Sequence, residues 1–152
     1  LKQLTHVDRV IFIEKSAKMI KLAQTSTPAN VQFIYADFLE YALEDESTHI
    51  VICPFFLDVF TPFQLGEVLD KIARILKKKG TLFVSDFQYT TWWSKQLIKL
   101  MYAFFGMSTR IATRQLAPLN TLILAKEFKT SAHLFRKDGM IFSKSYTKIN
   151  TD

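Results

Sequence analysis

Short apolar runs alternate with amphipathic stretches from one end of the chain to the other. The run VDRVIFI, with Val7 and Val10 to Ile13, is apolar on both faces and closes on Glu14. That pattern predicts a strand buried in a parallel sheet. Ser16 is placed to cap a helix from Ala17 to about Gln24, with Met19, Ile20 and Ala23 on one face. Residues 25–30 contain Pro28 and read as a loop. VQFIYA, Val31 to Ala36, predicts a second strand ending at Asp37. A helical turn over 38–43 and the acidic stretch Glu44, Asp45, Glu46 follow. HIVIC, His49 to Cys53, predicts a third strand, stopped by Pro54.

After an aromatic loop over 55–62, Leu65, Val68, Leu69, Ile72, Ile75 and Leu76 form one stripe of a helix predicted over 63–78. Lys77, Lys78 and Lys79 suit the negative end of that helix, and Gly80 would close it. TLFVS, Thr81 to Ser85, predicts a fourth strand ending at Asp86. A helix is expected from about Thr91 to Phe105, before Gly106, and another over 118–128. Two strands, 129–135 and 140–149, are joined by a turn at Lys137, Asp138 and Gly139, which predicts an antiparallel hairpin. Strand and helix alternate and a hairpin closes the series. The expected fold is α/β, a Rossmann-like, doubly wound, mostly parallel sheet with a C-terminal antiparallel hairpin, in a single domain over 1–152. No repeat and no Gly- or Ser-rich linker divides it.

Composition narrows the function classes. Of the 152 residues, 49% are apolar and 22% charged, enough to bury a core and too apolar for a disordered tail. The lone Cys53 excludes a disulfide framework and a cysteine-based zinc or iron–sulfur centre, so no metal site is expected. No apolar run reaches the ~18 to 20 residues of a membrane span, and no secretory signal stands at the start. A cytoplasmic location is the expectation. Charge is uneven: residues 1–87 hold 10 Lys/Arg and 11 Asp/Glu, for a net −1, and residues 88–152 hold 10 against 3, for a net +7. A basic half suits nucleic acid, an anionic membrane surface, an acidic substrate or plain solvation.

Three strands end in an acid: Glu14, Asp37 and Asp86. In an open parallel sheet ligands bind beyond the carboxyl ends of the strands. An acid there accepts hydrogen bonds from ribose hydroxyls or an exocyclic amine, or simply caps a helix. In order, IFIEKSAKMIKLAQ, VQFIYADF, HIVICPFFLDVF and LDKIARILKKKGTLFVSDF resemble the class I S-adenosylmethionine-dependent methyltransferases. The resemblance covers nearly the whole chain. It implies that Glu14 binds the cofactor ribose, that Lys15, Ser16 and Met19 flank the adenosine, and that Asp37 and Phe38 contact the adenine. Cys53, Pro54 and Phe55 would lie along the methionine part and the reacting methyl. Arg74, Leu76, Lys79 and Gly80 stand in the family's step into its fifth strand, with lysine where proline and a first glycine are commoner.

One element of the family pattern is missing. Its first strand ends in a glycine-rich loop where only Gly lets the backbone approach the cofactor, and this chain has no Gly before Gly66. Leu1 to His6 reads as the tail of the helix after that loop. The expectation is therefore that the N-terminal βα unit is missing here and that the gene product is longer by roughly 40 to 70 residues, given the ~30 of a βαβ unit. Without that strand, two apolar strands would expose unpaired edges, and a homodimer is one way to cover them.

Phe55, Phe56, Phe60 and Phe63 crowd the loop where the methyl group would emerge, and Trp92 and Trp93 open the next helix. Asp58, Phe60, Trp92 and Trp93 are the candidate substrate residues, suited to an apolar or aromatic small-molecule acceptor; the same aromatics would also serve as core. With Lys95 and Lys99 on its polar side, the helix from Trp92 also fits contact with a membrane surface. Methyl transfer is a direct displacement in which positioning supplies much of the rate. A general base helps a hydroxyl or ammonium acceptor, and Asp86 ranks first for it, ahead of Asp58, His133 and Tyr146. CPFF departs from the (N/D)PP(Y/F) signature of enzymes that methylate amines of nucleic-acid bases or protein glutamine. Nucleic acid is thus not the expected partner, although the basic half keeps a nucleic-acid-binding or nucleic-acid-methylating module as one alternative. A non-catalytic partner protein that kept the fold is another.

Overall fold

The structure, a computed structural model, describes residues 7–25, 30–87, 119–136 and 141–149. It divides into two compact units, Leu1–Ala42 and Leu43–Asp152. The helix expected from Thr91, with Trp92 and Trp93, lies outside the described residues, as do Leu1 to His6 and the turn at Lys137 to Gly139.

The first unit is one strand–helix–strand crossover. Strand β1 (Val10–Glu14) and strand β2 (Val31–Tyr35) pair in parallel, from Val10 opposite Val31 to Glu14 opposite Tyr35. β-branched residues and phenylalanines dominate both, and the Phe12 and Phe33 rings meet across the pair at 5.5 Å. Helix α1 (Ala17–Gln24) opens where the sequence predicts, because the Ser16 hydroxyl accepts the Met19 N–H. It stops at Thr25, whose hydroxyl donates to the Leu22 carbonyl at 2.7 Å. Ile20 is the hydrophobic residue this helix buries.

The second unit holds strand β3 (Thr48–Pro54), a 3-10 turn (Leu57–Val59), helix α2 (Pro62–Ile75), strand β4 (Leu76–Phe87), helix α3 (Leu119–Leu124), strand β5 (Phe128–Arg136) and strand β6 (Ile141–Lys148). Its sheet runs β3-β4-β6-β5. β3 and β4 are parallel, whereas β6 is antiparallel to both β4 and β5, so the hairpin closes as predicted. Thr61 and Gln64 form a reciprocal capping box at the start of α2, with Pro62 in its first turn. Leu65, Val68, Leu69, Ile72 and Ile75 recur at helical spacing and are buried, as are Leu82 and Val84 of β4 and Tyr146 of β6. Leu82 sits opposite Tyr146 in the register. The architecture is α/β with a mixed sheet. Among the described residues, β1 pairs with β2 alone and β3 with β4 alone.

Two boundaries differ from the sequence reading. Helix α2 ends at Ile75 instead of running to 78, and Lys77, Lys78 and Lys79 lie in the extended run of β4. Leu76 ends the helix with extended backbone (φ −71°, ψ 132°). It already pairs with Thr48 of β3, and the ladder resumes at Ile50 opposite Thr81. The intervening lysines form a bulge, with Lys79 at φ 62°. Gly80 is needed for close approach rather than as a helix stop: a Cβ there would meet the Lys77 carbonyl at 2.8 Å and the His49 carbonyl at 3.2 Å. The helix expected over 118–128 is the shorter Leu119–Leu124, since Phe128 already opens β5.

The last carbonyls of α2 find partners outside the helix. The Glu46 N–H donates to the Arg74 carbonyl at 3.0 Å, and the Lys148 ammonium donates to the Leu76 carbonyl at 2.9 Å.

Candidate functional site

In the first unit the candidate residues gather at the carboxyl ends of β1 and β2. Glu14 is the last residue of β1, and its Oε1 accepts the Ser16 N–H at 2.8 Å. Ser16 thereby has two roles, fixing the carboxylate through its backbone and capping α1 through its hydroxyl. Asp37 lies just beyond β2. Its Oδ1 accepts the Leu39 N–H at 3.0 Å, and its Oδ2 takes the Lys15 ammonium at 2.7 Å. The main-chain carbonyl of Asp37 accepts from Glu40 and Tyr41, which builds the turn containing Phe38. Lys15 is 78% exposed against 24% for Asp37. The hydrogen bond and charge of Asp37 hold the lysine above its ordinary pKa. Met19 is exposed on α1. Glu14, Lys15, Ser16, Asp37 and Phe38 are thus neighbours at one end of one sheet. The Lys15–Asp37 ion pair is the part that sequence reasoning did not anticipate, although a lysine directly after a strand-end acid was a signal for it.

In the second unit the candidates gather where β3 and β4 end side by side, Cys53 opposite Val84 and Pro54 opposite Ser85. The Phe55 N–H donates to the Ser85 carbonyl at 2.7 Å. Phe55 itself has φ 50°, a left-handed conformation that a bulky residue adopts only when its surroundings impose it. The residue is 46% exposed. Phe56 and Phe60 meet edge to face at 5.0 Å. Asp86 has no exposed surface, and its Oδ2 accepts the Asp58 N–H at 3.2 Å. Cys53 is 4% exposed; burial, with the Asp86 charge second, pushes its thiol up to about 12. That thiol stays neutral at physiological pH and fills space instead of attacking anything. Tyr146 is also buried. Its hydroxyl donates to Asn120 Oδ1 at 3.0 Å, and burial pushes it up to about 12. Lys144 donates to the same oxygen at 3.0 Å. An ammonium can only donate, so the atom facing it must be the amide oxygen of Asn120. Asn120 was not a sequence candidate, because nothing in the sequence pattern marks a shared acceptor. The side chain of His133 and both tryptophans lie outside the described residues.

These carboxylates fit the groups of a nucleoside. Oε2 of Glu14 keeps acceptor capacity for a hydroxyl once Oε1 is bound, and Asp37 is an acceptor of the kind an amine needs that already takes the Lys15 ammonium, each carboxylate oriented by a backbone N–H. Among the described residues no group of three or more His, Cys, Asp or Glu could hold a metal ion, and no helix is long and apolar enough to cross a membrane.

The comparisons bear on the family and the fold. Residues 1–80 match the family model described as a methyltransferase domain, and the chain belongs to that family. No curated protein matches the sequence. Among solved structures, a chain from the complex of the Haloferax volcanii Trm112 methyltransferase activator with a methyltransferase is similar at 12% identity and a TM-score of 0.72. That match covers 96% of this chain and 74% of the other. An S-adenosylmethionine-dependent methyltransferase from Mesorhizobium loti is similar at 10% identity and a TM-score of 0.70, over 93% of this chain and 81% of that one. One from Methanosarcina mazei reaches 18% identity and a TM-score of 0.65, over 93% and 82%. At such identities the likeness is one of fold, and the fold is that of the class I S-adenosylmethionine-dependent methyltransferases.

Proposed function

We propose that this chain is the core of an enzyme that binds S-adenosylmethionine and moves its methyl group to a small apolar or aromatic acceptor. The observation that carries the reading is the pair of strand-end carboxylates. Glu14 is held by the Ser16 N–H and Asp37 by the Leu39 N–H, at the ends of two adjacent parallel strands. Under this reading Glu14 accepts from the ribose hydroxyls and Asp37 from the adenine amine. Lys15, Ser16, Met19 and Phe38 flank the adenosine, and Cys53, Pro54 and Phe55 line the methionine part. The cofactor supplies a methyl group activated by a sulfonium. The chain's own share is to orient, to keep water out with a neutral Cys53 and the phenylalanines, and to place the acceptor by way of Asp58, Phe60, Trp92 and Trp93. A cytoplasmic setting belongs to the same reading. The Haloferax neighbour was solved with a methyltransferase activator, which favours, as a second reading, a protein partner for this chain.

The test is calorimetric titration of S-adenosylhomocysteine into this chain and into the product read from the gene's own start codon. Micromolar binding to at least one of them, weakened roughly tenfold to a hundredfold in Glu14→Ala and in Asp37→Ala, is the expected result. Absence of binding to both overturns the reading and favours a partner protein that kept only the fold.

A further inference from the structure

The residues between β3 and α2 are tied to two consecutive residues of β4. The Phe55 N–H donates to the Ser85 carbonyl at 2.7 Å, and three residues later the Asp58 N–H donates to the Asp86 carboxylate at 3.2 Å. The first tie is made by backbone, so any sequence in β4 could supply it. The second needs a side-chain oxygen at position 86. Between the ties the chain passes through Phe55 at φ 50°, a conformation that relaxes unless both ends are held. Leu57, midway, has no exposed surface and locks the middle of the segment into the core. Asp86 is also without exposed surface. The Ser85 hydroxyl meets the Ser143 hydroxyl at 2.7 Å, which joins the same end of β4 to β6.

We infer that Asp86 is a positioning residue: through the Asp58 N–H its carboxylate sets the course of the Phe55–Phe60 segment, which carries the candidate residues Phe55, Asp58 and Phe60. The inference rests on the methyltransferase reading for its consequence, but the tie itself can be read without it. The carboxylate contributes an oxygen acceptor at a fixed place. An amide of the same shape supplies that oxygen too, whereas a methyl group does not.

The experiment compares the gene's full product with Asp86→Asn and Asp86→Ala by amide hydrogen exchange at Phe55 and Asp58 and by S-adenosylhomocysteine titration. The expected result is exchange at Asp58 accelerated about tenfold in Asp86→Ala and largely restored in Asp86→Asn. Cofactor-product affinity should follow the same order, with a loss of about tenfold in the alanine variant and recovery in the asparagine variant. Equal exchange at Asp58 in wild type and Asp86→Ala overturns the inference. So does exchange in Asp86→Asn as fast as in a variant without the oxygen. Should Asp86→Ala fail to fold, Asp86→Asn decides alone: wild-type exchange at Asp58 sustains the inference and faster exchange overturns it. If wild type fails to bind S-adenosylhomocysteine, the methyltransferase reading falls while the exchange data still judge the tie.

Discussion

The two units of this chain spend their residues differently. In Leu1–Ala42 the described hydrophobic core reduces to Ile20, and the strongest polar features are two carboxylates at strand ends. In Leu43–Asp152, α2, the 3-10 turn and the strands bury a set that includes Leu57, Leu65, Leu69, Ile72, Leu82 and Tyr146. An isolated pair of strands is marginal in water, whereas three or more strands with a hydrophobic face can sustain a core. The lesson is that the proposed recognition residues and the packed core are drawn from different stretches of sequence. The strand-end carboxylates proposed to hold the nucleoside sit where burial is least.

Core truncation is the strongest way to sharpen that contrast. Leu69→Ala removes a fully buried side chain from α2 and is expected to destabilise by roughly 2–5 kcal/mol. Met19→Ala, half exposed on α1, should stay within about 0.5 kcal/mol. Urea denaturation of both variants checks the pair, and equal effects would break the comparison.

Alkali gives the next effect. The Cys53 thiol ionises near 9.0 in an ordinary setting and near 12 in the fold. Between those values the unfolded chain has released a proton that the folded chain retains, so stability falls as pH rises through that window. Cys53→Ala should remove that part of the slope in denaturation curves recorded against pH. An unchanged slope would show that the thiol is not held neutral.

Thr61→Ala follows. It removes the hydroxyl that accepts the Gln64 N–H and dismantles the capping box of α2. The expected loss is about 1 kcal/mol by thermal denaturation. Smallest of all is Lys15→Gln. The Lys15–Asp37 pair is solvent-bathed on the lysine side, so the denaturation midpoint should not move measurably, and a clear shift would mean the first unit depends on that pair.

Much of the fold was legible because local signals agreed with one another. Ser16 before an apolar-periodic run gave the start of α1 to the residue, and the acid-ended strands came out at Glu14 and next to Asp37. The closing hairpin was readable from two alternating runs around Asp138 and Gly139. The end of α2 was not. Three lysines followed by glycine carry the signature of a helix end, yet the pairing of Leu76 with Thr48 pulled that stretch into the sheet. Long-range pairing outweighed a local rule. In the site, residue types at strand ends were readable, but their wiring was not. That Lys15 folds back onto Asp37, that Asp86 turns inward to Asp58, and that Asn120 serves two donors all depend on side-chain directions set by distant partners.

The lysine of β6 that reaches the C-cap of α2 also imposes a timetable. The Lys148 ammonium completes the Leu76 carbonyl from 72 positions further along the chain. A ribosome adding about 5–20 residues per second needs roughly 4 to 14 seconds to make that stretch. Until Lys148 has been made the Leu76 carbonyl cannot receive that ammonium, so this contact is among the last that the chain can complete.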